Sequence, residues 1–250
     1  MRILLTNDDG IYAKGIEALF HCLCKDHEVT VVAPTTEQSA IGHAITFLNP
    51  LRVTPVRRNG SFFGLALDGT PADCVKIAVT TLLDPPPRMV VSGINLGANV
   101  GVNVIYSGTV SAATEAALLG IPAVAVSIDS FDTNDFSAAT SFIPRLVRLI
   151  EEHGLPPGVS LNVNVPSVPA SRVRGVRITH QGRMQCVETY DRRVDPRNHV
   201  YYWLCNRDIL PDSEPDADSA VLTENCISVT PIQHDLTHYG MIEVLKEWKL

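Results

Sequence analysis

Hydrophobic and polar residues follow two different spacings along the first half of the chain, which are short β-branched runs and longer segments with helical periodicity. The short runs predict strands at residues 2–6, 28–33, 88–92 and 123–127. The longer segments predict helices at residues 14–24 and 109–119, and a third that begins at Thr70. Nearly continuous apolar strands that alternate with helices predict parallel βαβ units covered on both faces.

The spacing changes at residues 45–67, where short alternating runs flank Asn59 and Gly60. This pair is a strong hairpin signal, so the segment predicts an antiparallel insertion. A helix is predicted at residues 137–152, and residues 159–165 are expected to form the last strand of the main sheet.

Beyond Pro166 the pattern becomes rich in strands, at residues 173–179, 185–190 and 200–205, and a final helix is predicted at residues 234–248. We expect these strands to form a hairpin excursion from the core. The predicted fold class is therefore α/β, a Rossmann-like, mostly parallel sheet with helices on both faces, a protruding β-hairpin region and a C-terminal helix. The expected domains are a core at residues 1–166 and a hairpin and C-terminal segment at residues 167–250.

Composition narrows the class of protein. The chain has 250 residues, of which 45% are hydrophobic and 19% charged, which is typical of a globular protein. No apolar run approaches the ~20 residues that span a bilayer, and the carboxylates of Asp8 and Asp9 interrupt the apolar start of the chain. We therefore expect a cytoplasmic protein without a membrane partner. The six cysteines form no C-x-x-C pair, which favours buried free thiols.

The net charge of −7 argues against a nucleic-acid partner, because such binding depends on clustered Lys and Arg. It does not exclude a small phosphorylated ligand. The charge is uneven, since residues 172–207 hold eight arginines against three acids, whereas residues 208–224 hold six acids and no base. These blocks could pair within one subunit, pair between two subunits, or form two solvated surfaces.

The first predicted strand ends in Asp8 and Asp9, within the segment TNDDG. Ligands of open α/β sheets bind beyond the carboxyl ends of the strands, and two adjacent carboxylates there need a counter-charge. A divalent cation such as Mg²⁺ or Mn²⁺ supplies one and prefers such oxygen ligands. All four residues of the segment NDDG are also of types that favour turns, so a simple turn is an equally good interpretation.

Two further loops follow predicted strand ends, at residues 36–43 and 92–101, and a third segment begins a predicted helix. Residues 92–101 are rich in Gly and Asn, and Asn95 offers a carbonyl oxygen to a metal without adding charge. Residues 107–109 (SGT) precede a predicted helix, where backbone N–H groups form a natural anion site. The loop at residues 36–43 approaches from the second strand. Neither G-x-G-x-x-G nor a Walker A lysine motif is present, which disfavours dinucleotide binding and NTP hydrolysis.

These segments together resemble the signature blocks of the SurE survival protein family. The matching blocks are residues 6–10 (TNDDG), 38–40 (QSA), 69–74 (GTPADC), 92–95 (SGIN) with Gly97 and Asn99, and 106–110 (YSGTV). The resemblance is strong from residue 1 to about residue 127 and weaker at residues 161–166 and 235–237. One departure is Asn103, where the family usually has an acid, and it raises a question about loop geometry or anion affinity.

The resemblance implies a metal-dependent phosphomonoesterase that hydrolyses nucleoside 5′- and 3′-monophosphates, and in some members short-chain polyphosphate. It implies one divalent metal ion per subunit, Mg²⁺ or Mn²⁺, on Asp8, Asp9, Ser39 and Asn95. It also implies a phosphate site at Ser107, Gly108 and Thr109. Finally, it implies homodimers or homotetramers with exchanged C-terminal segments.

Several mechanistic questions stay open at this stage. His234 and His43 are candidates for the leaving-group acid, because histidine titrates near neutrality. An aspartyl-phosphate route on Asp8 or Asp9 is a rival, as is a non-catalytic stress protein that binds nucleotide or metal without turnover. Recognition of the base could come from Tyr106, Phe47 or an aromatic residue of the hairpin.

Overall fold

A nine-stranded mixed sheet forms the centre of the computed structural model, which describes residues 1–183, 185–210 and 212–248, with the backbone alone for residues 185–188 and 206–210. The strands are numbered in chain order, and their order across the sheet is β3 (Val53–Arg58), β4 (Ser61–Leu67), β2 (Glu28–Pro34), β1 (Arg2–Thr6), β5 (Met89–Leu96), β6 (Ala123–Ile128), β7 (Val159–Val165), β11 (Cys226–Gln233) and β8 (Gly175–Ile178). A separate two-stranded antiparallel sheet pairs β9 (Gln185–Val194) with β10 (Val200–Leu210).

Helices cover both faces of the sheet. They are α1 (Lys14–Leu23), α2 (Pro71–Ile77), α3 (Gly108–Leu118), α4 (Ser137–His153) and α5 (Asp218–Thr223), whereas α6 (Tyr239–Lys246) buries none of its residues. Side chains alternate across β1, so Ile3 and Leu5 join the core beneath α1 and α4, whereas Leu4 joins the core beneath α2 and α3. Strands β4, β2, β1, β5, β6 and β7 are mutually parallel, which confirms the predicted α/β class.

The hairpin predicted within residues 45–67 is present, but it is part of the main sheet. Asn59 and Gly60 have positive φ values of 49° and 80° and join β3 to β4. Strand β4 then pairs in parallel with β2, with Gly64 opposite Val31, so the antiparallel hairpin forms one edge of the sheet. A Cβ at Gly64 would lie 2.6 Å from the Val31 carbonyl oxygen, and the missing side chain permits this pairing.

The expectation that β7 is the last strand of the main sheet is wrong. Strand β11 pairs antiparallel with β7 along six residues, and β8 pairs in parallel with β11. Part of the segment 167–250 therefore completes the main sheet, while β9 and β10 form the expected hairpin excursion. The division into two domains at residue 166 stays a prediction.

Local sequence signals account for several helix ends. Thr70 caps α2 and forms a reciprocal capping box with Asp73, and Pro71 occupies the first turn, as the sequence predicts. The final helix is shorter than predicted, because α6 begins at Tyr239 after an N-cap at His238. No described helix is both long enough and apolar enough to span a bilayer. The cysteine side chains that the structure describes are free thiols, and that of Cys186 lies outside the described residues.

Candidate active site

Three loops meet at the edge formed by the carboxyl ends of the parallel strands. Asp8 and Asp9 follow β1, and Asn95 lies near the end of β5, the strand beside β1. The Gln38 N–H donates to the carbonyl oxygen of Asp8 at 2.8 Å, which fixes the loop that carries Ser39 against the same edge. The structure therefore brings together the residues that the sequence places at three separate strand ends.

Asp8 is held at the first turn of α3. Its buried carboxylate accepts a hydrogen bond from the Thr109 hydroxyl at Oδ1 and another from the Thr109 N–H, at 3.0 Å, at Oδ2. The positive end of the helix dipole favours a carboxylate at this position. Gly108 permits the close approach, because a Cβ there would lie 2.9 Å from the Asp8 Cβ.

Asp9 is half-buried and accepts a hydrogen bond from the Leu96 N–H on β5. Burial raises the pKa of Asp9 to about 7, and the neighbouring Asp8 charge contributes to this rise. Burial also raises the pKa of Asp8, although the Thr109 hydroxyl opposes that shift. Neither carboxylate forms an ion pair with a Lys, Arg or His among the described side chains. The pair is therefore short of positive charge.

This arrangement predicts how the stability of the metal-free protein depends on pH. The pKa of Asp9 rises from 3.8 in the unfolded chain to about 7 in the folded one, so folded Asp9 holds a proton that unfolded Asp9 has lost. The contribution of Asp9 to the free energy of unfolding therefore falls as pH rises from about 4 to about 7, and it levels off above that range.

Denaturant unfolding in EDTA at pH 5 to 8 measures this effect by comparing the wild type with Asp9→Asn. The variant should gain stability relative to the wild type as pH rises, because its side chain carries no charge. A difference between the two proteins that stays constant over this pH range contradicts the prediction.

Asn95 and Ser39, the other two predicted metal ligands, lie at the same edge of the sheet as Asp8. Asn95 donates from Nδ2 to the Gly97 carbonyl oxygen at 2.7 Å, and its Oδ1 is left to accept. Ser39 is exposed and donates to a Glu37 carboxylate oxygen at 2.5 Å. The described residues contain no group of three or more His, Cys, Asp and Glu side chains that could hold a metal. Two carboxylates, a hydroxyl and an amide oxygen nonetheless fit Mg²⁺ or Mn²⁺ better than Zn²⁺.

A cavity of about 420 Å³ opens at this edge of the sheet, a volume in the range of small-molecule sites. Its lining includes four of the predicted site residues, Asp8, Ser39, Asn95 and Ser107. The other lining side chains discussed below are Asn99, Asn103, Tyr106, Phe131 and Leu204. Asp9, Gly108 and Thr109 do not line the cavity.

The turn at residues 107–109 begins α3, as the sequence predicts. Ser107 is the N-cap, and its hydroxyl oxygen accepts the Val110 N–H at 3.1 Å, which leaves its own proton to donate. The hydroxyl and N–H of Thr109 are directed to Asp8. Of the three predicted phosphate-site residues, Ser107 therefore faces the cavity while Thr109 orients a carboxylate.

A buried amide network holds the rim of the cavity, and sequence reasoning did not assign it. Asn162 and Asn164 on β7 donate to the Asn99 carbonyl oxygen at 2.8 and 3.1 Å, and Asn164 accepts the Asn99 N–H at 2.8 Å. The Asn99 side chain donates to Ser127. The signal in the sequence is two Asn residues in the alternating strand at residues 159–165, at positions that a core strand would fill with apolar residues.

The acidic block at residues 208–224 includes a structural carboxylate. Asp218 is buried and accepts the N–H groups of Gly101 and Gly182 at 3.0 Å each, so it anchors the far end of the loop that carries Asn99. Burial raises the pKa of Asp218. Arg177 pairs with Asp216 and Glu224, so the opposite charge blocks pair at least partly within one chain.

The two candidate histidines, His234 and His43, lie outside the lining of the cavity that includes Asp8. His234 follows β11 directly after Gln233, which pairs with the first residue of β7, and its ring lies beside Gly158. It is therefore at the amino edge of the parallel strands, opposite Asp8. The His43 Nε2 lies 2.9 Å from a carboxylate oxygen of buried Glu115, and neither histidine lines the cavity.

This chain is similar to known proteins in both sequence and structure. A family model described as Survival protein SurE matches residues 3–188. The chain belongs to the SurE family. A 5′-nucleotidase SurE of Syntrophobacter fumaroxidans is 69% identical over 250 residues, which cover all of both chains. A 5′-nucleotidase SurE of Desulfatibacillum aliphaticivorans is 53% identical over all of this chain and 99% of its own.

The crystal structure of the SurE protein from Aquifex aeolicus superposes with a TM-score of 0.87 at 34% identity, over 98% of each chain. The departure from the SurE pattern at Asn103 now has a location, because Asn103 lines the cavity.

Proposed function

We propose that this chain is a divalent-metal-dependent phosphomonoesterase that hydrolyses nucleoside 5′-monophosphates to nucleoside and phosphate. The observation that carries the proposal is the pair of buried Asp8 and half-buried Asp9, which has no described cationic partner and lies beside a cavity of about 420 Å³. Full-length relatives named 5′-nucleotidase support the substrate class. Activity on 3′-monophosphates and on short-chain polyphosphate is part of the proposal.

Asp8, Asp9, Ser39 and Asn95 would hold the metal ion, Mg²⁺ or Mn²⁺, one per subunit. When bound, such an ion neutralises phosphoryl charge and lowers the pKa of a coordinated water. The chain prepares this site by holding Asp8 on two donors from Thr109 and Asp9 on the Leu96 N–H, so both carboxylates are oriented before any ligand arrives.

The start of α3 stabilises the charge of the transferred phosphoryl group. The Ser107 hydroxyl faces the cavity and has a proton to donate, and the helix dipole is positive at this end. Gly108 completes the turn and allows Asp8 to approach it. Thr109 contributes by orienting Asp8, which would hold the metal ion.

An aspartyl-phosphate route is less consistent with these contacts. Both oxygens of Asp8 accept hydrogen bonds from Thr109, which lowers their nucleophilicity. Phosphatases of that type also space two aspartates by one residue, whereas Asp8 and Asp9 are contiguous. Trapping a covalent phospho-enzyme on Asp8 or Asp9 would reverse this preference.

The proposed leaving-group acid, His234, can serve only if another copy of the chain supplies it, since its position in its own chain is at the opposite edge of the sheet. The proposed exchange of C-terminal segments in a homodimer or homotetramer would provide this. Two observations support this exchange: α6 buries none of its residues within the chain, and Leu236 is 94% exposed. Light scattering measures the oligomeric state.

The cytoplasmic location expected from the sequence stays a prediction.

Thr109→Val should lower kcat/KM for a nucleoside 5′-monophosphate by about 10- to 100-fold, because a hydrogen bond to a charged group is lost. The backbone N–H of residue 109 still donates to Asp8 in this variant. Thr109→Ser keeps the hydroxyl and should retain most of the activity. Steady-state kinetics of the three proteins measure the effect, and equal losses in both variants would contradict this role for the hydroxyl.

The decisive experiment is a phosphate-release panel with 5′- and 3′-monophosphates and polyphosphate, each in Mg²⁺, Mn²⁺ and EDTA. We expect release from 5′-monophosphates that depends on metal and stops in EDTA. Binding of nucleotide without any release in every metal would support a non-catalytic stress protein. Release that persists in EDTA would refute the metal-dependent mechanism.

A further inference from the structure

The exposed rim of the cavity includes three apolar side chains, in contrast to the carboxylate at its floor. Tyr106, Phe131 and Leu204 line the cavity and are 53%, 86% and 51% exposed, whereas Asp8 in the same lining is buried. A nucleotide has the same division, with a charged phosphate at one end and a flat, largely apolar base at the other. Exposed apolar side chains are unfavourable in water unless something covers them, so the rim is suited to the base.

We propose that Phe131 is the principal contact for the nucleobase, with Leu204 and Tyr106 beside it, and that this contact favours purine over pyrimidine substrates. This inference rests on the proposed function, because it names the part of the substrate that the rim binds. Base–aromatic stacking needs only the face of the ring, so it tolerates different bases and is stronger for the larger purine.

The chain positions Phe131 through its backbone and through Gly97. Phe131 lies three residues after the end of β6, at the same edge of the sheet as Asn95, and the Gly97 N–H donates to the Ile128 carbonyl oxygen at 3.0 Å. The Phe131 ring lies against Gly97, where an added Cβ would be 3.1 Å from two of its carbons. Because Gly97 has a φ of +104°, a side chain is disfavoured there, and the ring can rest on the backbone.

Leu204 brings a second element to the rim, because it lies on β10 of the separate hairpin sheet. The hairpin and the loop after β6 therefore each contribute a side chain to the same opening. Tyr106 directly precedes the phosphate turn at Ser107, which places an aromatic ring one residue from the expected phosphate. The three side chains come from three loops or strands, so the contact surface exists only in the folded chain.

Phe47 provides a matched control. It is also 86% exposed, but it does not line the cavity. The sequence offered Phe47 and Tyr106 as candidates for base recognition, and only Tyr106 reaches the opening.

The experiment measures kcat/KM for 5′-AMP, 5′-UMP and ribose 5-phosphate in wild type, Phe131→Ala, Phe131→Trp and Phe47→Ala. Ribose 5-phosphate has the same phosphomonoester and sugar but no base. In Phe131→Ala we expect the ratio of kcat/KM for 5′-AMP to that for ribose 5-phosphate to fall about tenfold or more, through KM for 5′-AMP. The ratio for 5′-UMP should fall less, Phe131→Trp should retain the wild-type ratio, and Phe47→Ala should leave it unchanged.

The outcomes separate this inference from the proposed function. A wild type that cleaves ribose 5-phosphate and 5′-AMP, with a ratio that Phe131→Ala does not alter, overturns the base contact and leaves the phosphomonoesterase standing. An equal fall in Phe47→Ala also overturns it. A wild type that releases phosphate from neither substrate in any metal overturns the proposed function and the inference with it.

Discussion

Asp9→Asn is expected to abolish the metal-dependent release of phosphate from nucleoside 5′-monophosphates, with a fall in kcat/KM of about 10³-fold or more. The variant keeps the shape of the side chain but removes one of two adjacent negative charges that would hold the cation. A metal ion contributes several kcal/mol of charge stabilisation to such reactions, and each 1.36 kcal/mol corresponds to a factor of ten. Phosphate release in Mg²⁺ or Mn²⁺ measures this loss.

Two comparisons make the interpretation of this result specific. Asp26→Asn carries the same change at an exposed position before β2, at the opposite edge of the sheet, and should retain wild-type turnover. Addition of Mn²⁺ should raise the melting temperature of the wild type but not that of Asp9→Asn, because a ligand stabilises only the form that binds it. Unchanged turnover in Asp9→Asn would end the proposal.

The sequence predicts most of the sheet because each strand and helix has its own periodicity. The apolar run at residues 123–127 predicts a strand covered on both faces, and β6 is buried along its whole length. The pairing partners of strands are less predictable, because periodicity carries no information about neighbours. Strand β11 pairs with β7 although about 60 residues separate them, and nothing local at Val229 indicates this contact with Val163.

The same reasoning explains which parts of the site were predictable. The sequence predicts that Asp8, Asp9 and Asn95 lie together, because the carboxyl ends of parallel strands meet at one edge, and the SurE resemblance implies that they share a metal ion. The hydrogen bonds from Thr109 to Asp8 join residues that are far apart in the chain and depend on how α3 packs. Phe131 follows a strand within an ordinary polar loop, so its place on the rim appears only in the folded chain.

Gly15→Ala is expected to produce a large loss of stability close to the site. Gly15 is buried in the first turn of α1, which packs directly on β5. A Cβ there would overlap the Ile94 carbonyl oxygen and would lie 3.0 Å from its carbon. Overpacking against backbone costs about 3 kcal/mol, because no side chain can rotate away, and the melting temperature should fall by about 8 °C.

Gly240→Ala is the matched control, because it also adds a methyl group to a helix. A Cβ at Gly240 would lie 3.4 Å from the nearest His238 atom, an ordinary contact, so this variant should gain about 0.5–1 kcal/mol from the better helix propensity of alanine. Equal melting temperatures for Gly15→Ala and the wild type would show that α1 can move off β5.

Ile94 directly precedes Asn95, so a strand displaced by Gly15→Ala also displaces a proposed metal ligand. The activity of this variant should therefore fall even at temperatures where it stays folded.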